Sequence, residues 1–258
     1  MKKKIIITIL ILFFLSVAIY AGSQIFREYS EYHESADSYT DLEEYIKPPE
    51  APETELQDTT EPTESGDEHV EEIVWPVVDF ESLMAINSDC VAWIQIEGTE
   101  INYPVVQGED NSYYLKHLFE GKWNSAGCIF LDSRVAADIS DRHSIIYGHH
   151  MKNGTMFSGL TKYKKQDYFD AHPTGYLLTP AGNYQIEFFA GYVASTKDDA
   201  WELGFGSDEA FLDWANRAIE KSWFDSDITL SATDRIITLS TCSYEFDNAR
   251  FVLLGRLK

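Results

Sequence analysis

The chain has 258 residues and a formal charge of −23 at neutral pH, enough length for one sizeable domain with appendages. That charge excludes nucleic acid as a partner. Residues 27–79 hold 18 acidic residues against 2 basic ones, so the acidity belongs mostly to one segment near the start. The three cysteines, Cys90, Cys128 and Cys242, are odd in number and lack Cys-x-x-Cys spacing, which fits neither a disulfide framework nor a zinc site.

Lys2, Lys3 and Lys4 precede an apolar run from Ile5 to Ala21 that extends towards Phe26. The run is close to the ~20 residues that span a bilayer. Ile19 and Ala21 are a poor match to the small residues a signal-peptide cleavage site requires. Residues 1–26 therefore read as an uncleaved single-pass anchor, with the lysines in the cytoplasm and the rest of the chain exported.

Residues 27–72 are rich in Glu, Asp, Pro, Ser and Thr and offer little apolar surface, so they read as a disordered acidic spacer. As a flexible coil a segment of this length has an end-to-end distance of about 40 Å. The folded domain is expected over 73–258. Phe80, Leu83, Met84 and Ile86 suggest a short helix. Strand-like runs follow at Val91–Ile96, Ile101–Val106, Cys128–Leu131, Ser144–Tyr147, Gly175–Thr179, Tyr184–Ala194, Arg235–Thr241 and Arg250–Leu257. Each is short and bounded by turn residues, as in a sandwich or barrel. Between Ser207 and Phe224, Phe211, Trp214, Ala215, Ala218 and Ile219 recur at helical spacing behind the helix start Ser207-Asp208-Glu209, which predicts an amphipathic helix inserted in a β domain.

Cys242 closes an apolar, β-branched run and Arg250 opens the next. A hairpin joining the two runs places a thiol beside a fixed positive charge at one end of a sheet, the arrangement of an activated nucleophile with an oxyanion stabiliser. Such a cysteine needs a proton carrier. Of the seven histidines, His149 stands out: in Ile145-Ile146-Tyr147-Gly148-His149 an apolar strand ends in Gly and then His. His149 and His150 are adjacent, so their side chains diverge, and no metal-ligand spacing follows. A Gly-x-Ser-x-Gly elbow, a phosphate-binding loop and a dinucleotide fingerprint are all absent from the sequence.

Thr238-Leu239-Ser240-Thr241-Cys242 with Arg250 downstream and Tyr147-Gly148-His149 upstream resembles the signature of sortases, the membrane-anchored cysteine transpeptidases of Gram-positive bacteria. The resemblance covers most of residues 75–258. His149-His150-Met151 with Met156-Phe157, the helical N-terminal extension and the helix before the penultimate strand are similar to class B. It implies a mainly β fold, a closed sortase-type β-barrel with an N-terminal helical extension and an inserted helix near 207–224. It also implies Cys242 as nucleophile, His149 as acid/base and Arg250 as electrostatic stabiliser. Asn111, Leu115, Tyr147 and Ser240 are the implied peptide contacts, and no metal or other cofactor is implied. The expected partners are secreted proteins with a C-terminal sorting motif, cleaved after Thr, and a peptidoglycan amine that receives them outside the membrane. Cys128 departs from the Ser or Ala that many sortases carry at its position, which puts a second thiol in the domain.

Ordinary cysteine and histidine side chains form a thiolate–imidazolium pair only as a minority at neutral pH. The expected enzyme is therefore slow. Two readings from other classes stay open on the sequence. One is a membrane-anchored cysteine peptidase with water as acceptor, which in papain-like form wants its cysteine at a helix start rather than a strand end. The other is a non-catalytic surface-binding β module, which predicts no dependence on a thiol.

Overall fold

The structure is a computed structural model that describes residues 2–49 and 73–258. It opens with one continuous helix, α1 (Lys2–Leu42). The first half is apolar and fully exposed, with an 18-residue window of mean hydropathy 2.7. The second half docks on the folded domain along a stripe formed by Tyr32, Ser35, Tyr39 and Leu42. Tyr39 and Leu42 are buried, and the Tyr39 ring meets Tyr103 edge-on at 5.4 Å. A short 3-10 turn leads to β1 (Ile46–Lys47), which pairs antiparallel with β2 (Val77–Val78).

The reading of 27–72 as a disordered spacer therefore fails for residues 27–49; residues 50–72 lie outside the described residues. The physical reason is spacing. Four modestly apolar or small residues at helical intervals are sufficient once a barrel surface receives them, while Glu28, Asp37 and Asp41 face solvent. Polar contacts add to the dock: the buried Asn124 Nδ2 donates to the Glu31 carbonyl at 3.0 Å, Ser125 Oγ to its carboxylate at 2.6 Å, and Lys122 pairs with Glu34.

Next comes α2 (Phe80–Ile86), the short helix expected there, capped by an Asp79 carboxylate that accepts from the Ser82 amide at 3.0 Å. The barrel strands are β3 (Cys90–Gln95), β4 (Asn102–Val106), β5 (Ile129–Leu131) and β6 (His143–Tyr147). After the 3-10 run Phe157–Lys164 and α3 (Gln166–Ala171) come β7 (Thr174–Thr179) and β8 (Gly182–Ser195). Then follow α4 (Asp208–Lys221), β9 (Arg235–Cys242) and β10 (Ala249–Leu257). The eight strands close in the order β10-β8-β7-β3-β4-β5-β6-β9. All pairs are antiparallel except β4 with β5 and β6 with β9. The mainly β fold, the closed barrel, the helical extension and the inserted helix are as expected; the 3-10 run and α3 were not foreseen.

α4 is shorter than the 207–224 stretch. Ser207 accepts from the Ala210 amide at 3.1 Å as N-cap, and the helix stops at an extended Ser222. Phe224 leaves the helix to stack on Phe169 with ring centroids 4.1 Å apart. Alternation along β9 and β10 divides the core in two. Ile237, Leu239, Phe251 and Leu253 point into the barrel. Ile236, Val252 and Leu254 point outward beneath Phe211, Trp214, Ala215 and Ala218 of α4. The outward face continues to Ser240, Cys242 and Arg250, beyond the reach of the helix.

Candidate active site

Cys242 is the last residue of β9, with β10, which carries Arg250, on one side and β6, which ends just before His149, on the other. On β10, Arg250 is its direct cross-strand partner. On the opposite side β6 runs parallel to β9, with Tyr147 beside Ser240. His149 and Cys242 each lie two residues past that pair, so the parallel register delivers both to the same end of the barrel. The Gly148 amide donates to the Ser240 carbonyl at 3.1 Å, and Thr241 Oγ1 donates back to the Gly148 carbonyl at 2.8 Å. Gly148 is required by space: a Cβ there would lie 2.5 Å from Ile129 Cδ1 and 2.7 Å from the Phe157 ring.

The two neighbouring histidines diverge as expected. His149 Nε2 is 2.8 Å from the Leu115 carbonyl, to which it donates. His150 Nδ1 donates to the Cys242 carbonyl at 3.2 Å, and its ring meets Tyr244 at 5.3 Å. Arg250 Nη1 donates to the Ala249 carbonyl at 2.9 Å, which braces one edge of the guanidinium.

Cys242, His149 and Arg250 line an open groove of about 540 Å³, and all four implied peptide contacts line it with them. Each is held differently. Asn111 Oδ1 accepts from the Ser133 amide at 2.8 Å. Leu115 presents its side chain to the groove and its carbonyl to His149. Ser240 lies on the groove floor, nearly buried. The Tyr147 hydroxyl is committed to Asp132 Oδ2 at 2.9 Å.

The groove also contains Phe130, Arg134, Thr196 and Trp201, which sequence reading missed. Arg134 forms a two-point contact with the buried Asp132, Nε to Oδ1 at 2.9 Å and Nη2 to Oδ2 at 2.7 Å. Burial pushes the Asp132 carboxyl up, but hydrogen bonds from Arg134 and Tyr147 outweigh it and hold the group down at about 2. The Asp-x-Arg spacing after a strand was the available signal. Thr196 and Trp201 sit in the loop between β8 and α4, and nothing local marks them. Trp214 Nε1 of α4 donates to the Asp199 carbonyl at 2.8 Å, while Arg217 and Lys221 reach the Asp199 carboxylate at 3.1 and 2.9 Å. The inserted helix thus holds the turn that presents Trp201.

The remaining thiols are in the core. Burial pushes Cys90 and Cys128 up to about 12, which keeps them protonated and unreactive. Among the described residues no group of three or more His, Cys, Asp or Glu side chains is placed to hold a metal. The arrangement supplies a partly exposed thiol, an imidazole and a guanidinium around one open groove, the parts needed for acyl transfer through a covalent intermediate.

Residues 94–258 match the family model described as the sortase domain. The chain is 39% identical over 181 residues to sortase B of Listeria monocytogenes, covering 69% of this chain and 74% of that protein. It is 37% identical over 180 residues to sortase B of Staphylococcus aureus, with the same coverage. Its fold is similar to that of the Staphylococcus aureus sortase B–substrate complex, with TM-score 0.66 and 36% identity over 69% of this chain and 84% of that one. Sortase B from Bacillus anthracis in complex with AAEK1 aligns over 89% of this chain and 98% of its own, with TM-score 0.71 and 31% identity.

Proposed function

Because this chain belongs to the sortase family, with class B relatives and the activity of a cysteine transpeptidase, we propose that it cleaves a C-terminal sorting signal after Thr and transfers the protein to a peptidoglycan amine. The observation that carries this is the placing of Cys242 beside Arg250 of β10 and beside β6, whose end leads two residues on to His149, in a groove open along its length. The Cys242 thiolate attacks the Thr carbonyl carbon. Arg250 faces the oxygen as it becomes negative. The C–N bond breaks and the leaving amine takes its proton from His149. An incoming amine then attacks the thioester carbon and gives a proton to His149. The C–S bond breaks, and the thiolate returns. Asn111, Leu115, Tyr147, Ser240 and, as additions, Arg134 and Trp201 form the walls that hold the peptide.

The exposed apolar half of α1 is the membrane anchor in this reading, with Lys3 and Lys4 at its cytoplasmic end and the barrel outside, facing the wall. The test is the full chain in lipid vesicles, incubated with a panel of sorting peptides and amines and read by mass spectrometry. A peptide adduct on Cys242 that converts to an amine-linked product is the expected result. An adduct on another residue, or release of free acid whatever amine is added, overturns the transpeptidase assignment.

A further inference from the structure

The histidine side of the groove is held from outside the barrel. The Leu115 carbonyl that accepts from His149 Nε2 ends the 3-10 turn Tyr113–Leu115, whose Tyr114 hydroxyl donates to Asp89 Oδ2 at 2.8 Å and accepts from Asn87 Nδ2 at 2.9 Å. A second brace comes from α1. Tyr39 Oη donates to the Gly127 carbonyl at 2.6 Å in a fully buried setting. Burial pushes the Tyr39 hydroxyl well above its ordinary range, so it remains a donor. Gly127, at φ +60°, packs its backbone against the carbonyls of Tyr114 and Leu115: a Cβ there would lie 2.5 and 2.9 Å from them. On the next residue, the Cys128 amide donates to the Tyr114 carbonyl at 2.9 Å. Backbone thus rests on backbone from Tyr39 to the imidazole, with no flexible side chain between Gly127 and Leu115.

We propose that the docked half of α1 is a positioning element of the active site, in which Tyr39 holds the Gly127–Leu115 backbone contact that orients His149. The inference rests on His149 being the proton carrier proposed above. The Leu115 carbonyl fixes a proton on Nε2, so Nδ1 is the nitrogen left to exchange one with the reacting amine. When the brace loosens, the ring loses its preferred tautomer. The exposed contacts of α1 with this loop contribute little energy each; the buried ones, Tyr39 on Gly127 and the buried Asn124 on the Glu31 carbonyl, carry the connection.

The test is Tyr39→Phe in the full chain in vesicles, which removes one oxygen and keeps the ring in the core. The expected result is a fall in kcat of about tenfold, well short of the ~10²–10⁴-fold that general acid–base catalysis contributes. Imidazole nitrogen shifts of His149 by NMR change from a single Nε2–H tautomer to a mixture. A merely structural role for Tyr39 lowers the melting temperature and leaves the tautomer in place, which overturns the proposal. If Tyr39→Phe does not fold, the double variant Lys122→Met with Ser125→Ala loosens the same dock from the exposed side. It is expected to mix the His149 tautomers in the same way to a smaller extent, and an unchanged single tautomer overturns the proposal. His149→Ala separates the two readings. If it retains activity, the acid/base assignment has failed; if it is inactive while both brace variants are normal, only the brace has failed.

Discussion

At the scale of single residues, three thiols share one chain and burial separates them. Cys242 lies partly exposed at a strand end, whereas Cys90 and Cys128 are buried and held up at about 12. A thiol-reactive probe is expected to label Cys242 alone on the native protein and all three after unfolding. Cys242→Ala abolishes thioacyl formation; Cys90→Ala and Cys128→Ala keep most activity and lose about 1 kcal/mol of stability each to the small void left behind. Equal activity loss in all three variants counts against the nucleophile assignment. The pairing of Cys242 with Arg250 was legible because both mark the ends of adjacent β-branched runs. Arg134 left a local signal, its Asp-x-Arg spacing to Asp132, whereas Thr196 and Trp201 lie in a loop with no pattern of its own and were not legible.

His143, at the other end of β6, was passed over as a candidate and has a structural role. Its ring is buried, with Nδ1 2.6 Å from the Glu202 carbonyl and Nε2 2.8 Å from Thr238 Oγ1. Trp214 packs on it at 4.5 Å. Burial pushes its pKa down to about 4, against the favourable effects of the Glu202 carbonyl and the Asp132 charge. Because the folded value is depressed, the unfolded chain takes up the proton first as pH falls. Stability is therefore full above about pH 6.5 and declines towards about pH 4, by on the order of 3 kcal/mol from this group. Asp132 and Glu245, both held at about 2, add their losses only below the ordinary carboxylate range. Denaturant unfolding across this span is expected to show the slope in the native sequence and lose most of it in His143→Gln. An unchanged slope in the variant assigns the decline to other groups.

At the scale of elements, the barrel strands and α4 were legible because each alternates or recurs with one clear period. The docked half of α1 was hidden because its stripe of Tyr32, Ser35, Tyr39 and Leu42 is only modestly apolar and lies in strongly acidic sequence. Its partner surface, the loop before β5, has no pattern of its own. The inserted helix covers the outward face of β9 and β10 and also anchors the turn bearing Trp201 through Trp214 and Asp199. Trp214→Phe keeps most of the packing and removes that N–H. It is expected to cost about 2 kcal/mol of stability, combining a lost buried hydrogen bond with a small cavity. The KM for the donor peptide is expected to rise roughly threefold to tenfold with a smaller change in kcat, the pattern of lost ground-state binding. A normal KM in a destabilised variant shows that the turn keeps its place without the helix.

At the scale of the whole molecule, in the anchored reading proposed above the route between membrane and barrel is set by α1, which reassigns the acidic segment. Ile46 pairs with Val78 and Lys47 with Val77, so the chain on either side of residues 50–72 is pinned at one place on the domain. Whatever path that segment takes, it departs and returns, and it adds nothing to the reach of the barrel. The reach comes from the helix. Ten residues separate Ala21, at the end of the apolar run, from Glu31, the first docking contact. At 1.5 Å per residue that is about 15 Å, against the ~40 Å of a flexible spacer. A groove carried by a continuous helix also keeps one orientation to the bilayer, which a coil does not enforce. Deleting residues 51–71 is therefore expected to leave the distance between a fluorophore on the barrel and labelled lipid unchanged in vesicles. Inserting a run of Gly and Ser between Gly22 and Arg27 should lengthen and broaden that distance. If the deletion draws the barrel towards the membrane, the acidic segment is the tether after all and α1 does not set the height.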